Sequence, residues 1–483
     1  MTNSSSLVRS GGLNQTSTTS TLMPDLETLN SEGEFEWDEK TKALVLGSFF
    51  WGYILFQLPG GRLADSLGSK WLLGGGILFT SLLTVASPLA ARLGGSAAFI
   101  ACRVLEGVFE GVVIPSTHSM LAKWFPPTER STASGVIYSG GFIGTVIALP
   151  LSALLCDTPP AMFGLFGGWP SVFYLIGIAG VVWSVLWFYL VSETPQSHPT
   201  ISQAELRMLL MTCQSACRTG EKKASIPWQS IATSGPVWAL AATHFGQNWG
   251  FYTLLIQMPR YFAELGFDLK SNGAYSALPY LSQAVLATSA GFLCDRLFRS
   301  GHFRLATLRK AFNSMAFAGT AACLLAITTI GRDHLLNILL LVLALSVNGL
   351  SMAGYSCTHI DLSPRYSGTL MGITNCLATF AGVFSPIAVG QIISLVVGAD
   401  GGVDGDGGDG GDKVDLAERS LQAWKYVFYL AAAVYLLTGA IFVLFASNDV
   451  QEWNDPSSSS SMKNSKSSPS CEKYQKKADT NCD

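Results

Sequence analysis

Two short charged turns, Gly61-Arg-Leu-Ala-Asp-Ser-Leu-Gly-Ser-Lys70 and Gly291-Phe-Leu-Cys-Asp-Arg296, decide the reading of this 483-residue chain. Each sets an aspartate four residues after a glycine, and each closes an apolar stretch. Their recurrence marks an internal repeat. Around them, runs of about 20 apolar residues, the length that crosses a hydrocarbon core, begin near Ala43, Trp71, Ser96, Ala133, Ser171, Pro236, Ala274, Ala306, Leu335, Ser367 and Ala423. The reading is therefore an all-α polytopic membrane protein with about eleven spans in two pseudo-symmetric halves. Its parts are a polar luminal or extracellular segment over 1–42, an N-terminal helical half over 43–193, a cytoplasmic central loop over 194–235 and a C-terminal helical half over 236–446. The last half carries a Gly/Asp-rich luminal loop over 398–418, and a disordered cytoplasmic tail follows over 447–483.

Composition points the same way. Hydrophobic residues make up 49% of the chain and charged ones 13%, against roughly 25% charged in soluble domains. A net charge of −3 gives no basic surface for nucleic acid, and the six His and ten Cys form no ligand-spaced cluster, so neither metal nor cofactor is expected. The Gly/Asp-rich loop lacks the acidic-ligand spacing of a calcium-binding loop and reads as a linker. No obligate protein partner is evident, and nothing suggests an enzyme.

Lys and Arg set the orientation. Loops holding Arg62 and Lys70, Lys123 and Arg130, Arg207 to Lys223, Arg296 to Lys310, and Arg365 read as cytoplasmic, as does the Lys-bearing tail. The odd span count then puts the N-terminal segment on the luminal side, where the sequons Asn3-Ser-Ser and Asn14-Gln-Thr could carry glycan. No signal peptide or apolar helix stands ahead of that segment. The reading infers that a first transmembrane helix is missing.

The run Ala101-Cys-Arg-Val-Leu-Glu-Gly-Val-Phe-Glu-Gly111 places three ionisable groups inside a span. A charge near the bilayer centre costs about 2.5–3.5 kcal/mol or more, so such groups usually face a cavity and mark an ion, proton or substrate path. At helical spacing Arg103, Glu106 and Glu110 share one face. With a rise of about 1.5 Å per residue, Arg103 lies roughly 10 Å from the luminal end and Glu110 roughly 20 Å, near the midplane. Arg103 suits a carboxylate, which its planar guanidinium grips through two parallel hydrogen bonds; Glu106 and Glu110 suit proton coupling. A static ion triad is the bland alternative. Tyr53, Gln57, Asn248, Tyr252 and Asn375 also lie within spans, where they bind substrate or tie helices together. His118 is a further titratable candidate. His359 and Asp361, at a cytoplasmic helix end, suit gating, and Gly140-Gly-Phe-Ile-Gly144 suits close helix approach.

The repeated Gly-x-x-x-Asp turns resemble the loop signature of the major facilitator superfamily, which implies that Asp65 and Asp295 hold a cytoplasmic gate. Gly47-Ser-Phe-Phe-Trp-Gly-Tyr-Ile-Leu-Phe-Gln-Leu-Pro-Gly-Gly61, Arg103-Val-Leu-Glu-Gly-Val-Phe-Glu-Gly111, Phe251-Tyr-Thr-Leu-Leu255 and Gly372-Ile-Thr-Asn375 further resemble the organic anion transporters of solute carrier family 17. Gln247-Asn248-Trp249, His118 and His359-Ile-Asp361 resemble its lysosomal sialic acid/proton symporter branch. The vesicular glutamate branch differs by an arginine just before this tryptophan. The resemblance implies a twelve-helix fold and proton-coupled symport of a small organic anion, sialic acid or an acidic sugar, across a lysosomal, vesicular or plasma membrane. Sodium-coupled phosphate transport, vesicular glutamate or aspartate transport, and a truncated non-transporting isoform are the alternatives.

Glycosidase-shift mapping of Asn3→Gln and Asn14→Gln tests the orientation. At least one substitution is expected to raise electrophoretic mobility; unchanged mobility for both, together with a C-terminal tag outside the cytoplasm, contradicts it.

Overall fold

The computed structural model describes residues 34–157, 168–213, 226–267, 269–398 and 410–455. Asn3, Asn14, positions 399–409 of the Gly/Asp-rich loop and the tail from 456 lie outside the described residues. Regular structure among those described is helical throughout. Lipid offers no hydrogen-bond partner to a backbone, so an apolar span must satisfy its peptide groups internally.

Helix α1 (Glu39–Leu67) starts at Asp38, whose carboxylate accepts from the Thr41 N–H at 3.1 Å. It stops at Gly68, which takes φ 121°, a left-handed value that costs glycine little. Helix α2 (Ser69–Glu110) bends back on itself at Gly95, φ 63°, where the second and third expected spans meet. Its second arm continues into α3 (Val113–Trp124). Helices α4 (Arg130–Asp157) and α5 (Pro170–Leu190) complete the N-terminal half.

The connection read as a loop over 194–235 contains two short helices, α6 (Gln203–Thr212) and α7 (Trp228–Ala232). Ser202 caps the first by accepting from the Glu205 N–H at 3.2 Å, a local signal that a search for apolar spans overlooks. The C-terminal half holds α8 (Gly235–Glu264), α9 (Leu269–Arg299), α10 (Leu305–Ile330), α11 (His334–Asn348), α12 (Tyr355–Leu362), α13 (Ser367–Val397) and α14 (Gly410–Phe445). A 3-10 turn, Gly349–Met352, separates α11 from α12 and breaks one expected span in two. Eight helical stretches among the described residues are long and apolar enough to cross a membrane. Counting the two arms of α2 separately and adding α8, whose His244, Gln247 and Asn248 lower its apolarity, recovers the expected eleven.

The halves meet along two seams, α1 against α13 and α4 against α9. Both seams need glycine. A Cβ on Gly61 would stand 2.2 Å from the Gly368 carbonyl oxygen, and one on Gly291 would stand 2.3 Å from that of Ser131. The contacts repeat one helical turn further along, Gly372 on the Gln57 carbonyl and Gly135 on that of Ala287. Gly140, Gly141 and Gly144, expected to bring helices together, have nothing within 4 Å. Ser139 turns toward α9, donating to the Ala284 carbonyl at 2.8 Å, so a helix advancing about 100° per residue turns these three glycines away from the seam.

At the end opposite the loop cations, Arg92 donates to Glu34 through Nε at 2.6 Å and Nη2 at 3.1 Å, and Trp169 Nε1 adds a bond at 2.7 Å. The Arg92 hydrogen bond holds the Glu34 carboxyl below the usual carboxylate range. This clasp is therefore present above the ordinary carboxylate range and is lost only as pH falls through the depressed value.

Gly61→Ala is expected to destabilise the purified protein by about 1–3 kcal/mol, the cost of overpacking against backbone, whereas Gly140→Ala stays within about 1 kcal/mol of the parent or gains from helix propensity. Thermal unfolding in one detergent checks the contrast.

Candidate substrate path and gate

The seam glycines let two carboxylates reach across it. Asp65, near the end of α1, accepts from the backbone N–H of Gly368 at 3.2 Å and of Thr369 at 2.7 Å, and from the Thr369 hydroxyl at 2.8 Å. Asp295, near the end of α9, accepts from the N–H of Ser131 at 3.2 Å and of Thr132 at 2.7 Å. Each thereby satisfies first-turn donors of a helix in the opposite half, where a negative charge is also favoured by the helix dipole. The two halves perform the same operation on each other.

Asp361, on α12, carries a second connection. Its Oδ1 accepts from Arg130 Nη1 at 3.1 Å and its Oδ2 from Arg309 Nε at 2.9 Å. Arg130 opens α4 in the N-terminal half, and Arg309 lies on α10 in the C-terminal half. All three side chains are buried. Arg309 also donates to the Ser131 hydroxyl at 2.6 Å and the Ala353 carbonyl at 2.8 Å. A related group ties the N-terminal half: Glu193 accepts from the N–H of Ser69 and of Lys70, and from Lys123 Nζ at 2.5 Å.

Above this charged layer lie His118 on α3 and His359 on α12, with ring centroids 5.2 Å apart, and then His244 of α8, 5.6 Å from His359. Tyr138 and Thr374 hydrogen-bond into the group.

Farther from the loop cations, the candidate substrate residues gather around α1 and the second arm of α2. Arg103 Nη1 donates to Glu106 Oε2 at 2.5 Å, and the Ser87 hydroxyl donates to Oε1 at 3.0 Å, so both oxygens of this buried carboxylate are engaged. The Arg103 guanidinium lies 5.1 Å from the Phe49 ring, which stacks on Tyr53 at 5.6 Å. Glu110 differs from Glu106. It is half-buried, has Thr80 as a hydrogen-bonding neighbour and Tyr53 within electrostatic reach, and forms no ion pair among the described residues.

From the other half, Asn375 Nδ2 donates to the Tyr53 hydroxyl at 3.3 Å, and Tyr252 meets Phe50 edge-on at 6.0 Å. Asn248 is half-buried without a hydrogen-bond partner among the described residues. Gln57 is fully buried and donates to Thr379 at 3.0 Å, so in this conformation it joins α1 to α13. Sequence reasoning passed over Arg130, Arg309 and Lys123 as loop cations, Glu193 as a boundary residue, and His244 altogether. Arg309 lies only four residues into α10, where a cation of the preceding loop and a buried one look alike. His244 had a usable signal: an ionisable residue in the interior of a span.

A family model described as Major Facilitator Superfamily matches residues 12–386. Human sialin is 37% identical over 87% of this chain and 78% of its own length. The chain belongs to solute carrier family 17 of the Major Facilitator Superfamily. A Drosophila ananassae protein named for inorganic phosphate cotransport is 38% identical over 89% of this chain and 83% of its own. Human vesicular glutamate transporter 2 is 35% identical over 92% and 71%. A solved proton:xylose symporter shares the fold at TM-score 0.63 and 14% identity, covering 87% of this chain and 90% of the symporter. The chain is thus a multi-pass membrane protein of a transporter family, seen here with its halves closed at the end that the loop cations mark as cytoplasmic.

Asp361→Asn leaves two buried guanidinium groups without their shared carboxylate. Loss of one member of a buried ion pair costs about 3–5 kcal/mol, so this family member is expected to lose monodispersity and thermal stability in size-exclusion and unfolding assays. Asp361→Glu should recover part of the loss.

Proposed function

We propose that the chain is a proton-coupled symporter of small organic anions, sialic acid or acidic sugars, in a lysosomal or vesicular membrane. The observation that carries this reading is the contrast on one helix face between Glu106, held by Arg103 and Ser87, and Glu110, which has no cationic partner among the described residues. A guanidinium keeps its charge at any working pH, so Arg103 is a standing receptor for a carboxylate. Glu106 competes for it. Luminal acid that protonates Glu106 removes the competitor and leaves the fork-shaped donor to the substrate. Glu110, near the midplane, takes the coupled proton and releases it on the cytoplasmic side. Phe49, Tyr53 and Tyr252 supply the aromatic and hydroxyl surface that a sugar ring needs, and Asn375 and Asn248 offer amides to its hydroxyls.

A second reading has its own support, because relatives at 38% and 35% identity are named for inorganic phosphate cotransport and vesicular glutamate transport. Both substrates are anions that Arg103 would serve. Parallel uptake of sialate, glucuronate, aspartate and phosphate into proteoliposomes separates the readings. Acid-driven sialate or glucuronate uptake supports the first; sodium-driven phosphate uptake without a pH gradient, or aspartate uptake alone, replaces it.

Glu110→Gln is expected to abolish proton-driven accumulation in that assay while the protein still inserts, since an amide keeps the shape but carries no proton. Arg103→Lys should instead raise KM about tenfold or more, a charge-assisted hydrogen bond being worth about 1.5–3 kcal/mol. An unchanged pH profile in the Glu110 variant removes that residue from the coupling mechanism.

A further inference from the structure

Three buried histidines lie between the candidate substrate residues and the cytoplasmic ion pairs, and the hydrogen bonds of two of them, His118 and His359, form a pattern that is complete when those rings are uncharged. The Ser356 carbonyl can only accept, and it receives both His118 Nε2 at 3.2 Å and His359 Nδ1 at 3.0 Å. These two nitrogens therefore carry hydrogen. In neutral rings the opposite nitrogens accept. His118 Nδ1 faces the Tyr138 hydroxyl at 3.1 Å, and His359 Nε2 faces the Thr374 hydroxyl at 2.7 Å. Thr374 in turn accepts from His244 Nδ1 at 3.1 Å. Five of the six ring nitrogens are engaged in this way, which leaves no open set of lone pairs for a metal.

A proton added to His118 or His359 turns an acceptor into a donor facing a hydroxyl, and only neutral carbonyls, Ile114 beside His118 and Met371 beside Thr374, are there to take a redirected hydrogen. The groups facing the cluster offer no compensating charge. Tyr138 faces it from α4, Tyr53 from α1, Tyr355 and Cys357 from α12, and Tyr435 from α14 lies next to Tyr355. The nearest carboxylate along α12, Asp361, has one arginine on each oxygen. Asp65 is bound to the start of α13, and Glu110 lies within electrostatic reach of Tyr53.

The cluster also crosses between the halves. His118 and Tyr138 belong to α3 and α4, whereas His244, Ser356, His359 and Thr374 belong to α8, α12 and α13. Parting the halves at the cytoplasmic end breaks the bond from His118 to Ser356, separates the two closest rings and admits water to them.

We propose that His118, His359 and His244 form a proton-sensitive latch on the cytoplasmic gate, shut around uncharged imidazoles and held open by protons taken up once the halves part. It deepens the proton-coupled reading and rests on that reading for its place in the cycle. The latch senses protons and does not conduct them, because the Ser356 carbonyl between His118 and His359 has no proton to pass on. The sign follows from linkage. The parted form binds protons near the ordinary histidine value of about 6.5, so acid favours the open gate and a rise in pH through that range restores closure.

The test is the distance between halves, read by double electron–electron resonance from spin labels on non-natural amino acids at positions 67 and 300. Leu67 and Ser300 are exposed beside the inward ends of α1 and α9, in opposite halves. Between pH 7.5 and 5.5 the ratio of long to short distances is expected to rise, with a slope approaching about tenfold per pH unit for each proton taken up. His118→Gln with His359→Asn should flatten that slope. If the pair does not insert, His244→Asn alone should reduce it. Distances in the parent protein that ignore pH overturn the proposal, as does a double variant with the parental slope. Glu110→Gln should keep the response, and its loss in that variant would move the sensor to Glu110 and overturn the latch. Sodium-driven transport with the pH response intact would instead overturn the proton-coupled reading and leave the latch standing.

Discussion

A helix that begins inside a protein seam within a membrane brings backbone N–H groups to a place where water does not reach them, and each unsatisfied group is expensive there. Helices α4 and α13 begin in this way, and the carboxylates that satisfy them come from the other half of the molecule. Capping a helix and bringing the halves together are therefore one event. Asp65 and Asp295 need their own helices to approach within backbone contact, which explains the glycines at 61 and 291 four residues before them. The recurring turn is the sequence form of a mutual cap: glycine gives the distance, aspartate the acceptor.

Because those caps are neutral peptide groups, they leave the carboxylates' charge to be balanced elsewhere in the layer. Lys123, paired with Glu193, lies on the Asp65 side, and Arg309 bonds to Ser131, whose N–H Asp295 receives. Asp361 joins the two halves directly through Arg130. Buried ion pairs of this kind return little net stability against burying apolar groups of the same size. Their value in a gate is that water can replace them when the halves part, which an interlocked apolar surface does not allow. The large apolar cluster is centred in the C-terminal half, around Phe317, Trp424 and Tyr435, and reaches the α4–α9 seam only at its margin, through Phe142, Ala284 and Ala287.

Much of this was legible in the sequence for physical reasons. Span length, the polar central connection and the repeated turn identify the fold because lipid imposes them on every residue of a helix. The Arg103–Glu106 pairing was legible because three residues on a helix fix a contact without knowledge of the tertiary structure. Long-range partners were not. No local pattern ties Arg309 to Asp361, or His244 to Thr374 across 130 positions, and the glycines at 140, 141 and 144 read like contact residues while facing open space. The break at Gly349–Met352 was hidden inside an apolar run, since hydropathy does not register a change from α to 3-10 winding.

One criterion then sorts the buried ionisable groups: whether a fixed partner of opposite charge meets each one. Asp361, Arg130 and Arg309 have such partners and belong to the framework of the closed state, whereas Glu106 has its partner on its own helix. Asp65 and Asp295 are met by peptide N–H groups, so their bonds persist only while the halves touch. Glu110 and the three histidines have no fixed counter-charge among the described residues. A group of that kind changes its protonation state more readily than it tolerates a buried charge, and it does so when water reaches it. The four stand at two depths along one path, Glu110 beside the aromatic surface and the histidines beneath it. A conformational change that wets one end at a time would expose them in turn, and in the proposed proton-coupled cycle that alternation is what would link proton movement to the opening of each side.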